Sequence, residues 1–130
     1  MKVELKQHVR IESARFLPAL PESHPCRRMH GHSFKMTLTL VGETHPQIGW
    51  LRDYHEISRT VSPVLAKLDH AVLNEIPGLE NPTSENLAIY LFEKIRVLIP
   101  ELIQISVSET PDTECAYPVR VSFTATPGQD

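Results

Sequence analysis

Two alternating stretches open the chain. From Val3 the odd positions Val3, Leu5, Val9 and Ile11 are apolar while Lys2, Glu4, Lys6, His8, Arg10 and Glu12 are polar, the period of two that marks a half-buried strand. The pattern predicts a strand ending near Ala14. Residues Leu17 to Arg28 hold Pro18, Pro21 and Pro25, each without the N–H that a sheet interior needs, and read as a loop. Alternation resumes on even positions, with His32, Phe34, Met36, Leu38 and Leu40 on one face and Ser33, Lys35, Thr37 and Thr39 on the other. This is a second strand, expected to pair antiparallel with the first.

Beyond Pro46 and Gly49 the period changes. Asp53 stands three residues before Glu56, a D-x-x-E variant of the capping box, and Ile57, Val61, Val64, Leu65 and Leu68 follow at helical spacing. Pro63 predicts a kink or a restart within this helix. A second helix is signalled by Pro82-Thr83-Ser84-Glu85, with Thr83 or Ser84 as cap, and by Leu87, Leu91, Ile95 and Leu98 on one face; it stops by Pro100. Ile103, Ile105 and Val107 alternate in a third strand, and Tyr117, Val119, Val121 and Phe123 in a fourth after a turn at Pro111. The order is β-β-α-α-β-β, an α+β chain with no internal repeat of longer period.

With 130 residues, 41% of them hydrophobic, the pattern describes one domain over 1–130, large enough for a core but with little interior left for a deep private pocket. The 13 Lys and Arg against 16 Asp and Glu give a net charge of −3, which offers no general attraction to nucleic acid or to an anionic membrane. Apolar runs stay far short of the about 20 residues that span a bilayer, and MKVELKQHVR lacks the apolar stretch of a signal peptide. A cytoplasmic chain is expected, with a flexible tail over 125–130. Its two cysteines, Cys26 and Cys115, then read as free thiols, Cys115 as part of the core.

Four groups of residues could carry chemistry. His30-Gly31-His32 puts two imidazoles on one side of a strand, where both can converge on a metal ion; the bland alternative is a pair of hydrogen-bonded strand-end histidines. Cys26, beside Arg27 and Arg28, is either an activated thiol or an inert loop cysteine. In Asp69-His70 a carboxylate can set the tautomer of its neighbour as a base relay requires, or the pair merely closes a helix end. Glu109 continues the inward parity of Ile105 and Val107, so its carboxylate needs a partner: the guanidine-like edge of a heterocycle, or an arginine of this chain.

Cys26 to His32 reads C-x-x-x-H-G-H, and with Leu68-Asp69-His70, Leu73-Asn74, Asn81-Pro82-Thr83-Ser84-Glu85-Asn86 and Ser108-Glu109-Thr110 it resembles the 6-pyruvoyltetrahydropterin synthase superfamily. Within that superfamily it looks most like the bacterial 6-carboxytetrahydropterin synthases of queuosine biosynthesis. The match runs from about Ile11 to Tyr117. It implies the tunnelling fold, with an antiparallel sheet carrying two helices on one face, assembled as homo-oligomers, typically hexamers made of two trimers, with active sites between subunits. It also implies a small-molecule substrate, 7,8-dihydroneopterin triphosphate, converted to 6-carboxytetrahydropterin, acetaldehyde and triphosphate. Cys26 then matches the catalytic thiol, Asp69 and His70 its relay, Glu109 the pterin anchor, Thr83 and Ser84 contacts on the pterin edge, and His30 and His32 two of three zinc ligands.

The third ligand position departs from the family pattern. Where the family has a histidine at the end of its first strand, this chain reads Ile11-Glu12-Ser13-Ala14-Arg15, and a guanidinium has no lone pair for zinc. Three readings follow: a substitute ligand, His24 before His8; an ion held weakly and completed by substrate oxygens and water; or no ion, with Arg15 supplying the positive charge. The resemblance also leaves a pyruvoyl-forming synthase and a catalytically idle pterin- or metal-binding paralogue as alternatives.

Overall fold

The structure, a computed structural model, describes residues 1–121. Phe123 and the tail expected over 125–130 lie outside the described residues. Four strands, β1 (Lys2–Arg15), β2 (His30–Glu43), β3 (Leu102–Thr110) and β4 (Thr113–Tyr117), form one sheet in chain order, each antiparallel to the next. Between β2 and β3 come α1 (Tyr54–Ala66) and α2 (Ser84–Ile95), whose buried residues join the inward side chains of the sheet in one core. The expected α+β architecture is the observed one.

β1 and β2 pair without a break from Lys2 opposite Glu43 to Arg15 opposite His30. An unbroken register keeps side-chain parity, so odd positions of β1 and even positions of β2 share the inward face over their whole length. Ile11, Phe34, Met36, Leu38 and Leu40 are buried there. Ile105 and Val107 of β3, opposite Leu38 and Met36, continue the layer.

Local details depart from the pattern in four places, and in a fifth the structure chooses between two alternatives. α1 runs through Pro63 as one element, because Pro63 and Arg59, whose carbonyl loses its donor, are both on the exposed side, where water replaces the missing bond. Asp53 caps α1 through His55 N, but Glu56 does not reach back, its carboxylate being paired with Arg52 at 3.0 Å. Thr83, not Ser84, caps α2. α2 ends at Ile95, and the tighter turn beyond it buries Ile99 and leaves Leu98 exposed. A register shift between Thr39 and Leu40 sets Leu102 rather than Ile103 in the core.

The fourth strand differs most. It occupies Thr113–Tyr117 rather than starting at Tyr117, and Val119 and Val121 are exposed. Pro118 has no N–H to give the ladder, so pairing stops before it. Cys115 is half-buried at the rim of the core, and burial pushes its thiol up from the usual value, which keeps it protonated.

Candidate active site at the polar end of the sheet

At the Arg15 end, the inward rows that begin apolar turn polar: Ser13 and Arg15 on β1, His30 and His32 on β2, Glu109 on β3. Arg15 is 3% exposed, and a buried guanidinium requires compensation. Its Nη1 donates to the carbonyl of Pro82 at 2.9 Å, its Nη2 donates to Glu109 Oε1, and its plane lies over the Phe34 ring, 5.0 Å from Cζ to the centroid. The second oxygen of Glu109 accepts from the hydroxyl of Ser84, the first residue of α2. Thr83 fixes that residue in place by capping the helix, its Oγ1 accepting from Asn86 N at 3.1 Å. Three elements thus meet on one carboxylate. Burial pushes Glu109 up, but the Ser84 hydroxyl and the Arg15 guanidinium together outweigh it and hold the carboxyl below its ordinary range.

The two histidines stand beside this pair. His30 Nδ1 is 2.6 Å from the carbonyl of Arg28; a carbonyl only accepts, so Nδ1 donates and Nε2 is the nitrogen left for another partner. That Nε2 is buried with no hydrogen-bond partner among the described residues, as is Arg15 Nε. The His32 ring packs edge-on against His30 at 4.8 Å and against Phe34 at 5.7 Å, with Nε2 3.7 Å from Glu109 Oε1. Partial burial, and then the Arg15 charge, hold its pKa below the usual imidazole value, so the ring is neutral near pH 7.

These donors do not fit a three-histidine zinc centre. The guanidinium of Arg15, a permanent cation, occupies the third position, and among the described residues no three His, Cys, Asp or Glu side chains converge. His24 spends its Nδ1 accepting from Cys26 N at 3.1 Å, as the cap of a short 3-10 turn over Pro25–Arg27. His8 is on the opposite face of the sheet, its Nδ1 2.8 Å from Thr37 Oγ1.

Asp69 and His70 are held against the free edge of β1. Asp69 Oδ1 accepts from Glu12 N at 2.8 Å and His70 N donates to Glu12 O at 2.6 Å, so one residue of β1 clamps both partners by its backbone. Ala14 N donates to Ala71 O at 2.9 Å and the Ser13 hydroxyl to Leu68 O at 2.5 Å, extending the seam. Asn74 closes it, its side-chain amide bonded to both N and O of Phe16. His70 takes the left-handed backbone at φ 56°, uncommon outside glycine, and its side chain is 78% exposed. Asp69 Oδ2 lies 3.0 Å from His70 Nδ1. The bond from Glu12 N, and then His70, keeps the Asp69 carboxyl below its ordinary range. It therefore stays ionised and leaves the Nε2 of His70 facing outward.

The chain thus gathers Arg15, His30, His32, Ser84 and Glu109 at one place and Asp69 with His70 at a second, and a cleft passing Gly31 connects His32 to His70. Cys26 stands apart on its loop, tied by its carbonyl to Leu17 N at 2.8 Å, with no hydrogen bond to Asp69 or His70. For Glu109 the structure supplies the partner that was the blander expectation, an arginine of the same chain. The Thr83 hydroxyl is committed to its cap. Sequence reasoning missed Glu12 as the clamp of the relay and Phe34 and Pro82 as the seat of Arg15. Phe34 was accessible from strand parity; the Glu12 and Pro82 roles are backbone groups, which carry no side-chain signal.

Residues 4–119 match the family model described as 6-pyruvoyl tetrahydropterin synthase. The chain is 34% identical over 98 residues, 71% of its own length and 76% of the relative's, to a 6-carboxy-5,6,7,8-tetrahydropterin synthase of Synechocystis sp.. It is 36% identical over 72 residues, 55% of its length and 60% of the relative's, to a dihydroneopterin monophosphate aldolase of Pyrococcus furiosus. Among solved structures, the 6-pyruvoyl tetrahydropterin synthase of Caenorhabditis elegans superposes with a TM-score of 0.83 at 26% identity, covering 90% of this chain and 95% of that one.

Proposed function

The chain belongs to the 6-pyruvoyl tetrahydropterin synthase family, and from that premise we propose that it is a carbon–carbon lyase, a 6-carboxy-5,6,7,8-tetrahydropterin synthase acting on 7,8-dihydroneopterin triphosphate in queuosine biosynthesis. The observation that carries the reading is the convergence of Glu109, Ser84, His30 and His32 at one sheet end, beside an Asp69–His70 pair clamped on the free edge of β1.

In this proposal Glu109 anchors the pterin. A carboxylate has about four lone-pair sites, so Arg15 and Ser84 leave acceptor capacity for the N–H edge of the ring. Ser84, with Thr83 behind it, sets the carboxylate plane and so the orientation of the ring. Cys26 takes the proton from the side-chain carbon, and His70, oriented by Asp69, shuttles protons at the hydroxyl oxygens. Cys26 and the relay are on separate segments, so the proposal includes a homo-oligomer, a hexamer of two trimers, whose neighbouring subunits complete the walls. The zinc of the resemblance would have His30 and His32 as its protein ligands beside Arg15, an altered and weakened centre. The setting proposed is the cytoplasm. Among the described residues no helix is long and apolar enough to cross a membrane.

The test is the release of acetaldehyde from dihydroneopterin triphosphate by purified protein, with stoichiometric zinc and without it. Turnover is expected, and Cys26→Ala is expected to lower it at least about 100-fold while pterin binding persists. No acetaldehyde under either condition overturns the lyase reading. Formation of a pyruvoyl product instead selects the second reading, which the likeness to the Caenorhabditis elegans enzyme favours.

A further inference from the structure

Two polar atoms of the anchor cluster are buried with no hydrogen-bond partner among the described residues, Arg15 Nε and His30 Nε2. They belong to facing residues. Arg15 and His30 are direct partners where β1 pairs with β2, both on the inward rows, and side chains directly opposite one another on a sheet are neighbours. The rest of each side chain is committed. Arg15 Nη1 donates to the carbonyl of Pro82, its Nη2 to Glu109, and His30 Nδ1 to the carbonyl of Arg28. Those bonds fix the guanidinium plane and the imidazole ring, so neither orphan atom can turn toward a different protein group.

A buried polar atom left unmet costs free energy, and two of them on facing residues mark a position that a small polar group fills. A cation does not suit it. The Arg15 guanidinium is permanently charged, so an ion on His30 Nε2 meets like charge beside it, and the Nε–H of Arg15 is a donor that offers an ion nothing. A hydroxyl suits both atoms. Its oxygen accepts from Arg15 Nε, and it donates to a neutral His30 or accepts from a protonated one. The position also adjoins the anchor, because Nε shares an edge of the planar guanidinium with Nη2, the nitrogen that holds Glu109.

We propose that this chain binds its ligand without a metal ion, Arg15 Nε and His30 Nε2 together holding one hydroxyl oxygen of the ligand's side chain and the guanidinium supplying the positive charge. The inference rests on the pterin reading above and deepens it: the preference for a hydroxylated side chain lies with Arg15, the residue that departs from the family pattern. One rigid group then positions both parts of the ligand, the ring through Glu109 and the side chain through Nε. Zinc competes with the hydroxyl for His30 and does not assist its binding.

Calorimetric titration of the full-length protein in chelator, with 7,8-dihydroneopterin and with 6-methyl-7,8-dihydropterin, tests it; the second ligand keeps the ring and lacks the hydroxyls. Wild type is expected to bind the first at least about tenfold more tightly, because the analogue leaves a buried donor unpaired. Stoichiometric zinc is expected not to widen that preference. In NMR spectra of the nitrogen-labelled protein, the Arg15 Nε–H resonance is expected to shift with 7,8-dihydroneopterin and to stay in place with the methyl ligand. His30→Asn, whose amide can still donate to Arg28 but has no group at the Nε2 position, is expected to lose most of the preference. Its binding of the methyl ligand is expected to match wild type, which also reports the fold. Equal affinity for the two ligands in chelator, a preference that zinc creates or widens, an unmoved Arg15 resonance, or full preference in His30→Asn overturns the inference while the pterin reading stands. Binding of neither ligand, with zinc or without it, overturns the pterin reading and the inference with it.

Discussion

The anchor cluster and the relay occupy neighbouring stretches of β1, yet they are built on opposite principles. Around Arg15 the charged groups are compensated chiefly by other side chains: guanidinium, carboxylate, hydroxyl and the Phe34 ring meet, with only Arg15 Nε of that guanidinium left without a hydrogen-bond partner among the described residues. At Asp69 and His70 the side chains are exposed, and what holds them is backbone, chiefly the N–H and carbonyl of Glu12. The first arrangement loses its stability when any member is removed, because a buried charge is left without a partner. The second keeps its backbone bonds, His70 N to Glu12 O and Ala14 N to Ala71 O, when a side chain is lost. The anchor is thus complete within one chain, whereas the relay presents its chemistry to whatever covers it.

The largest effect that would break this comparison is on the anchor. Glu109→Leu leaves the Arg15 guanidinium buried and uncompensated and is expected to destabilise the protein by about 3–5 kcal/mol in denaturant titrations. The double variant Arg15→Leu with Glu109→Leu is expected to regain most of that loss, since apolar side chains of similar size continue the inward layer of Ile11 and Val107. Additive losses in the double variant would show that the pair is not a compensated unit.

A smaller effect concerns what Arg15 displaces. Arg15→His is expected to raise zinc affinity at least about tenfold in a competition titration, because it removes a permanent cation beside His30 and His32 and supplies a third imidazole. Unchanged affinity would mean that the end of β1 cannot deliver a ligand to those two rings.

The smallest effect falls on the relay. The carboxyl of Asp69 is held below its ordinary range in the folded chain, so its stabilising contribution is fully present above the unfolded value near 3.8 and is lost as pH falls through the lower folded value. Asp69→Asn is expected to flatten the acid limb of a stability-against-pH curve and to lower stability near pH 7 by the amount that wild type loses along that limb. An acid limb identical to wild type would remove Asp69 from the linkage.

How legible was this in the chain? The inward face was readable wherever strand parity ran unbroken: Ile11, Phe34, Met36 and Leu38 are buried as their alternation requires, and Glu109 emerges where Ile105 and Val107 point. Legibility failed where parity was interrupted. The shift at Leu40 exchanged Ile103 for Leu102, and Pro118 ended a strand whose alternation continues past it. The resemblance assigned Arg15 a position but not a partner, because pairing Arg15 with Glu109 joins β1 to β3 across β2, a contact with no local signal.

By itself the sequence determined the order of elements, the inward and outward faces of β1 and β2, the start of α2 at Thr83 or Ser84, and the set of groups able to do chemistry. These follow from local periodicity and from residue type, both of which act over a few neighbouring positions. Only the tertiary structure decided which charges neutralise one another. It joined Arg15 to Glu109 and clamped Asp69 and His70 on Glu12. The reason is distance along the chain: burial and Coulomb energy depend on separation in space, which the register of the strands and the packing of the helices set only after the whole chain has folded.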